Sequence, residues 1–372
     1  MNKVLFTATV DSHINHFHIP YLKFFKDKGY EVHVATNTDE PIQYCDVKHK
    51  VSFERSPYKI NNLKAIKQLK KILSEEKFDI IHTHTPMGSV ITRIASKNTR
   101  KENNTKVIYT AHGFHFYKGA PILNWLLFYP IEKILSKYTD ILITINNEDY
   151  ELAKKKFSKT KVEYIQGVGV DENKFNLEMT IEEKNKLRES LNLKENDFVM
   201  IYTAEVNKNK NQVMAIEAMR HLIKEKNNIH LLLVGKGNLK NYYENKVKEY
   251  NMQNNIHFLD YRTDVPKLLK ISDLAISTSK REGLPINIIE SMMSGLPIIV
   301  TNCRGNGDLV IEGVNGYIIE LDNNTQFSET VLKLYCSEDK KNKFSQKSRE
   351  SAKDYELKKI IEKVKEIYEN IG

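Results

Sequence analysis

Residues 274–300 read LAISTSKREGLPINIIESMMSGLPIIV, and the order of their parts decides the fold. A short apolar run, Leu274–Ser277, leads into a polar loop with Gly283 and Pro285. A helical pattern opens at Ile286, and a second apolar run, Pro297–Val300, follows. Strands that are apolar at nearly every position are buried on both faces, and two of them joined through a helix run parallel. The same alternation extends outward. Just upstream lie Phe198–Thr203, His230–Val234 and Ile256–Phe258, with helices from Asn211 and around Leu239–Tyr250. Farther upstream come Val4–Thr9, Glu31–Ala35, Asp79–His84, Lys106–Ala111, Asp140–Ile145 and Val162–Ile165. Between these, Phe17, Tyr21, Phe24 and Phe25, and then Leu63, Ile66, Leu69 and Leu73, fall at helical spacing. The stretch QGVGVDENKF, residues 166–175, interrupts the series as a linker. The pattern predicts an α/β protein of two tandem Rossmann-like domains, 1–168 and 169–355, followed by a charged amphipathic helix over Glu356–Ile371. Ligands of open parallel sheets sit at the carboxyl ends of strands, so a cleft between the two domains is expected.

Composition narrows the class. The chain has 372 residues, 40% hydrophobic and 28% charged, enough to bury cores and too apolar to stay disordered. Its three cysteines, Cys45, Cys303 and Cys336, form no CxxC pair. That excludes a disulfide scaffold and a Cys-rich zinc site and fits a reducing compartment. Met1–Val10 reads as a first strand rather than a signal peptide. The apolar stretch Pro121–Tyr129 is shorter than the roughly 20 residues a bilayer span takes. A cytoplasmic protein is expected. The net charge of +9 resides wholly in residues 1–168, which hold 26 Lys+Arg against 17 Asp+Glu. A one-sided basic half suits an anionic partner such as a membrane surface, a phosphorylated substrate or nucleic acid. Lys59–Lys77 carries six lysines against Glu75 and Glu76, and Lys118 precedes the apolar, aromatic-rich run Trp125–Tyr129. Both features favour an anionic membrane surface. No nucleic-acid-binding motif or stacking platform is evident, so nucleic acid is the weaker expectation.

The loop within the opening stretch carries the sharpest chemistry. Glu282 and Glu290 stand eight apart, one in the loop and one in the helix. Gly283 lets the backbone approach a ligand, and Pro285 suits a first helical turn. The N–H groups of Ile286 and Asn287 would face an anion at the helix start. A carboxylate one or two turns in can grip a vicinal diol.

This E-x7-E pattern, inside REGLPINIIESMMSGLPIIVTN, resembles the donor-site signature of glycosyltransferase family 4, whose members have the two-domain GT-B fold. The resemblance extends over YTAEVNKNKNQ (202–212), LLLVGKGNL (231–239), FLDYRTDV (258–265) and TAHGFHFYKGAP (110–121), and is nearest to bacterial capsule and exopolysaccharide glycosyltransferases. It implies that Glu282 contacts the donor sugar, with Gly283 and Leu284 beside it, and that Glu290 holds the ribose hydroxyls. Lys210 would neutralise the leaving diphosphate. Glu205 stands where the family often has Arg, a departure that leaves Arg281 and Arg304 as candidate cations. Gly235 would lie near the nucleotide, and Tyr261 and Arg262 where main-chain groups read the base. His112 would face the reacting sugar. The loop after the first strand would meet the acceptor through Asp11, His13 or His16. The terminal helix would return to the first domain.

The activity so implied is a retaining transfer of a hexose or N-acetylhexosamine from a UDP-sugar to a polyprenyl-diphosphate-linked saccharide. It would take place peripherally at the inner face of the cell membrane, and domain closure would exclude water. A UDP-sugar 2-epimerase of similar fold is the alternative, and a basic nucleic-acid-binding protein the non-enzymatic one. No DxD triplet is present, so metal-independent chemistry with no cofactor beyond the sugar nucleotide is expected. The histidine groupings His82 with His84, His112 with His115, and His13 with His16 and His18 contain no HExxH motif and are read as metal-free.

Overall fold

The computed structural model of the chain describes residues 1–371. It divides into one unit of Met1–Val168 together with the chain from Lys359 onward, and a second unit of Gly169–Lys358. In the first unit, strands β1 (Lys3–Thr7), β2 (Glu31–Thr36), β3 (Val47–Lys50), β4 (Ile80–Thr83), β5 (Lys106–Ala111), β6 (Ile141–Thr144) and β7 (Lys161–Tyr164) form an all-parallel sheet in the order β3-β2-β1-β4-β5-β6-β7. In the second, β8 (Phe198–Thr203), β9 (Ile229–Val234), β10 (Ile256–Phe258), β11 (Leu274–Ser277), β12 (Ile298–Thr301) and β13 (Gly316–Ile319) run in the order β10-β9-β8-β11-β12-β13. Both orders reverse once, between β1 and β4 and between β8 and β11. In a doubly wound sheet, the carboxyl ends at such a reversal open the crevice where ligands bind.

The central strands are buried at nearly every position, as apolar runs such as Leu274–Ser277 require. In the second unit Met219, Leu222, Phe327, Val331 and Leu334 pack against the sheet from helices Gln212–Glu225 and Asn324–Tyr335. The first unit has one core under helix Asn61–Glu75 (Ala65, Leu69, Leu73, with Phe53 and Phe78) and another around Tyr109, Phe114, Phe116 and Phe157. The terminal helix, Leu357–Glu369, belongs to the first unit over most of its length. Its Tyr368 hydroxyl bonds the His82 ring at 2.6 Å.

Two edge strands escape the sequence pattern. β3 is Val-Lys-His-Lys, half-exposed and without an apolar run. β13 opens on Gly316, where a side chain would strike the Ile298 carbonyl oxygen at 2.1 Å.

Candidate functional site

At the β8/β11 reversal, the loops after those two strands are stitched together. The Tyr202 hydroxyl, at the end of β8, donates to the Lys210 carbonyl and bonds Ser279, both at 2.8 Å. Thr278 donates to the Asn211 carbonyl at 2.9 Å, and Asn209 donates to the Arg281 carbonyl at 2.9 Å. This lattice brings the Lys210 ammonium to the Glu282 carboxylate at 2.6 Å. A third loop, after β12, leans on the same place. Arg304 Nε donates to the Glu282 carbonyl at 3.1 Å, and Gly305 lies so close that a side chain there would meet the Gly283 carbonyl oxygen at 2.6 Å. The half-buried Cys303 thiol is pushed up to about 11, first by burial and then by the Glu282 charge. Lys210, Glu282, Cys303 and Arg304 therefore form one cluster.

Helix Ile286–Met293 starts here with Pro285 before its first turn and no side-chain cap. Its leading N–H groups, including those of Ile286 and Asn287, thus have no side chain assigned to them. Leu284 is buried and anchors the turn. Burial pushes the Glu290 carboxyl up to about 7, against a weaker opposing pull from Lys174. Gly235 allows the loops after β8 and β9 to touch, since a side chain there would lie 2.0 Å from the Ala204 carbonyl oxygen.

The Arg262 guanidinium is held by Asp264 in a two-pronged pair of 2.7 and 2.6 Å and Tyr261 beside it is exposed; the pair engages the side chain and not the main-chain groups expected to read the base. The Glu205 side chain is exposed, and its carbonyl accepts from Gln212 Nε2 at 2.9 Å. In the first unit, the segment after β1 is not a loop but a helix, Asp11–Phe17. Asp11 is fully buried and bonded to Thr36, Thr38, Lys48 and the Glu40 N–H. Burial alone would push its carboxyl up, but Lys48 and the two hydroxyls hold it below the ordinary value. Asp11 is a folding hub and is withdrawn from any acceptor.

The histidines regroup as well. His16 is exposed and bonded to the Ser12 carbonyl at 2.6 Å. His82 and His84 are two apart along one strand direction and share a face, with ring centroids 4.1 Å apart. Both nitrogens of His82 are satisfied, by Tyr368 and Thr110. His13, His18, His84 and His112 converge instead. Burial lowers the His112 imidazole to about 4, so it stands neutral.

The group 1 glycosyl transferase family model matches residues 183–351, and a glycosyl transferase 4-like model matches residues 3–146. The chain is 40% identical to EpsD of Bacillus subtilis (strain 168), assigned to the glycosyltransferases, over 98% of this chain and 96% of that one. The chain belongs to the group 1 glycosyltransferases. It is 32% identical to the Escherichia coli UDP-Gal:α-D-GlcNAc-diphosphoundecaprenol α-1,3-galactosyltransferase, over 83% of this chain and 80% of that one. The fold is that of Anabaena HepE in complex with UDP and glucose, with a TM-score of 0.79 at 19% identity, over 99% of this chain and all of that one. Membership in this transferase family separates the chain from the epimerase alternative.

The structure brings Glu282, Lys210 and the helix start, which the sequence motifs singled out, together at one strand reversal. Cys303, which lies in the same cluster, is a lone cysteine and carries no spacing signal. His18 and His84 were noticed only in the wrong groupings, because their meeting depends on three separate elements ending at one place.

Proposed function

We propose that this glycosyltransferase moves a hexose or N-acetylhexosamine from a UDP-sugar to a saccharide on a polyprenyl diphosphate, with retention at the anomeric carbon. The observation that carries the reading is the Lys210–Glu282 pair, 2.6 Å apart at the β8/β11 reversal beside an uncapped helix start. A lysine and a row of N–H groups offer the diphosphate positive charge without a divalent cation, and that charge grows in value as the leaving group departs. Glu282 would take sugar hydroxyls once the phosphate draws Lys210 away, and Glu290 would take the ribose diol. The departing diphosphate can itself accept the acceptor's proton on the face where the new bond forms. The donor, acceptor and α linkage in the name of the Escherichia coli relative support this reading, because an α product from an α-linked nucleotide sugar keeps its configuration.

The first unit supplies the surface for a lipid-borne acceptor. Helix Ile122–Leu135 turns Trp125, Phe128 and Tyr129 towards the core and leaves Ile122, Leu123, Leu126, Leu127, Ile131 and Ile134 exposed. Exposed Lys118, Lys133 and Lys137 flank this face. An apolar strip with basic neighbours fits an anionic membrane, each lysine adding about 1 kcal/mol. Among the described residues no helix is long and apolar enough to cross a membrane.

The test is transfer in vitro. Incubation with a panel of UDP-sugars and a polyprenyl-diphosphate-linked N-acetylhexosamine should lengthen the lipid-linked glycan by one sugar. Added Mg²⁺ or Mn²⁺ should leave the rate unchanged. Failure of UDP to bind, or a rate that depends on either cation, overturns the reading.

A further inference from the structure

The β1/β4 reversal of the first unit is the counterpart of the donor site in the second, and it is filled by histidine. His13 lies in the helix that follows β1, and His18 caps that helix at its C-terminus. His84 and His112 directly follow β4 and β5. One ring nitrogen from each of the four lies within 4.8 Å of the others. Imidazoles that fold into a protein core normally find partners for both nitrogens, one donating and one accepting. The other buried histidines here obey that rule. His82 bonds Tyr368 and Thr110, His33 bonds His49 and Glu31, and His230 meets His257 and Asp197. The cluster does not. His18 is 3% and His84 0% exposed, and neither ring has a partner on either nitrogen. Nε2 of His13 and of His112 is also buried and unbonded.

We propose that His13, His18, His84 and His112 form a binding site for a divalent transition-metal ion, with Zn²⁺ its best-fitting occupant. Four neutral nitrogen donors are the ligand set that suits zinc and its neighbours, and one that Mg²⁺ and Ca²⁺ avoid. Burial holds the His18 and His84 rings neutral, with their lone pairs available. Tetrahedral Zn–N bonds of about 2.1 Å set the nitrogens roughly 3.4 Å apart, and the four nitrogens, within 4.8 Å of one another, would draw in to that spacing. The scaffold holds the donors at fixed places. The Thr85 hydroxyl accepts from the Thr9 N–H at 3.0 Å and meets the Thr9 hydroxyl at 2.8 Å, tying the ends of β1 and β4 together. Thr85 itself sits at φ 63°, an uncommon conformation for a β-branched residue that these bonds maintain. The site lies in a different unit from the donor loops and uses nitrogen ligands, so it is separate from the question of a cation on the donor diphosphate.

The whole protein, stripped of metal by chelator and dialysed, would be titrated with Co²⁺ and then Zn²⁺. One equivalent of Co²⁺ should bind and give the strong visible absorption of the four-coordinate ion, and Zn²⁺ should displace it. His13→Gln and His84→Gln should each weaken uptake at least tenfold. His221→Gln, at an exposed histidine of helix Gln212–Glu225, should leave it unchanged. Should His84→Gln fail to fold, His13→Gln decides, since its ring is only partly buried. A wild-type protein that takes up neither ion stoichiometrically, or uptake unaltered by His13→Gln, overturns the proposal. UDP-induced thermal stabilisation, read on the same samples, reports the donor site independently, so the two readings fail separately.

Discussion

Glu290 shows how a single residue can carry a cost in the fold that points to a ligand. Burial raises its carboxyl from the usual 4.5 to about 7. Between those values the folded chain keeps a proton that the unfolded chain has released, so stability falls as pH rises through the window, and the full cost is present above it. Glu290→Gln should therefore melt higher than wild type near pH 8, by up to about 3 kcal/mol, and the two should coincide near pH 4. The same change should weaken UDP-sugar binding about tenfold, the loss of one charge-assisted hydrogen bond. Calorimetry and equilibrium binding at both pH values check it; equal stability at pH 8, or equal affinity, would refute the assigned role. Lys210 and Glu282 make a different pair of claims. Lys210→Ala should lower turnover by roughly 10²–10³-fold, the usual loss for one group that stabilises transition-state charge. Glu282→Ala should do likewise by misplacing the sugar. Single-turnover rates with saturating donor measure this, and near-normal rates would remove both residues from the chemistry.

At the scale of elements, helix Ile122–Leu135 is the exception that informs. An ordinary surface helix hides its apolar stripe, whereas here Ile122 is 78% and Leu126 67% exposed. Glutamate at both positions should cut sedimentation with phosphatidylglycerol vesicles at least tenfold and leave the fold and UDP affinity intact, because neither side chain contributes to a core. Unchanged vesicle binding would move the docking surface elsewhere. The elements also show what a sequence can and cannot declare. Central strands such as β8 and β11 were legible because burial on both faces forces an unbroken apolar run. β3 was not, since an edge strand of Val-Lys-His-Lys needs no such run. The helix Asp11–Phe17 was missed because its apolar period is short and its strongest determinant, buried Asp11, acts through Thr36, Thr38 and Lys48 on other elements. The proposed donor cluster was readable for the opposite reason, since its loop keeps Glu282, Gly283, Pro285 and Glu290 within nine residues of one another. The histidine cluster draws on three elements far apart in the chain, and only the parallel strand order brings them together.

The two proposed ligand sites each lie inside one unit with its own core. That arrangement makes a thermodynamic statement, because a ligand stabilises only the cooperative unit that binds it. Calorimetry of the full chain should resolve two transitions. UDP should raise the one belonging to Gly169–Lys358, by about 2.7 kcal/mol at a hundred times its dissociation constant. The other transition should hold still under UDP and rise with Zn²⁺. Assignment comes from a core substitution. Phe327 is fully buried in the second unit's core, and Phe327→Ala, at a cost of about 3–5 kcal/mol, should lower the same transition that UDP raises. A single transition, or two that shift together with UDP, would mean that the units fold as one body, and each ligand would then stabilise residues it never touches.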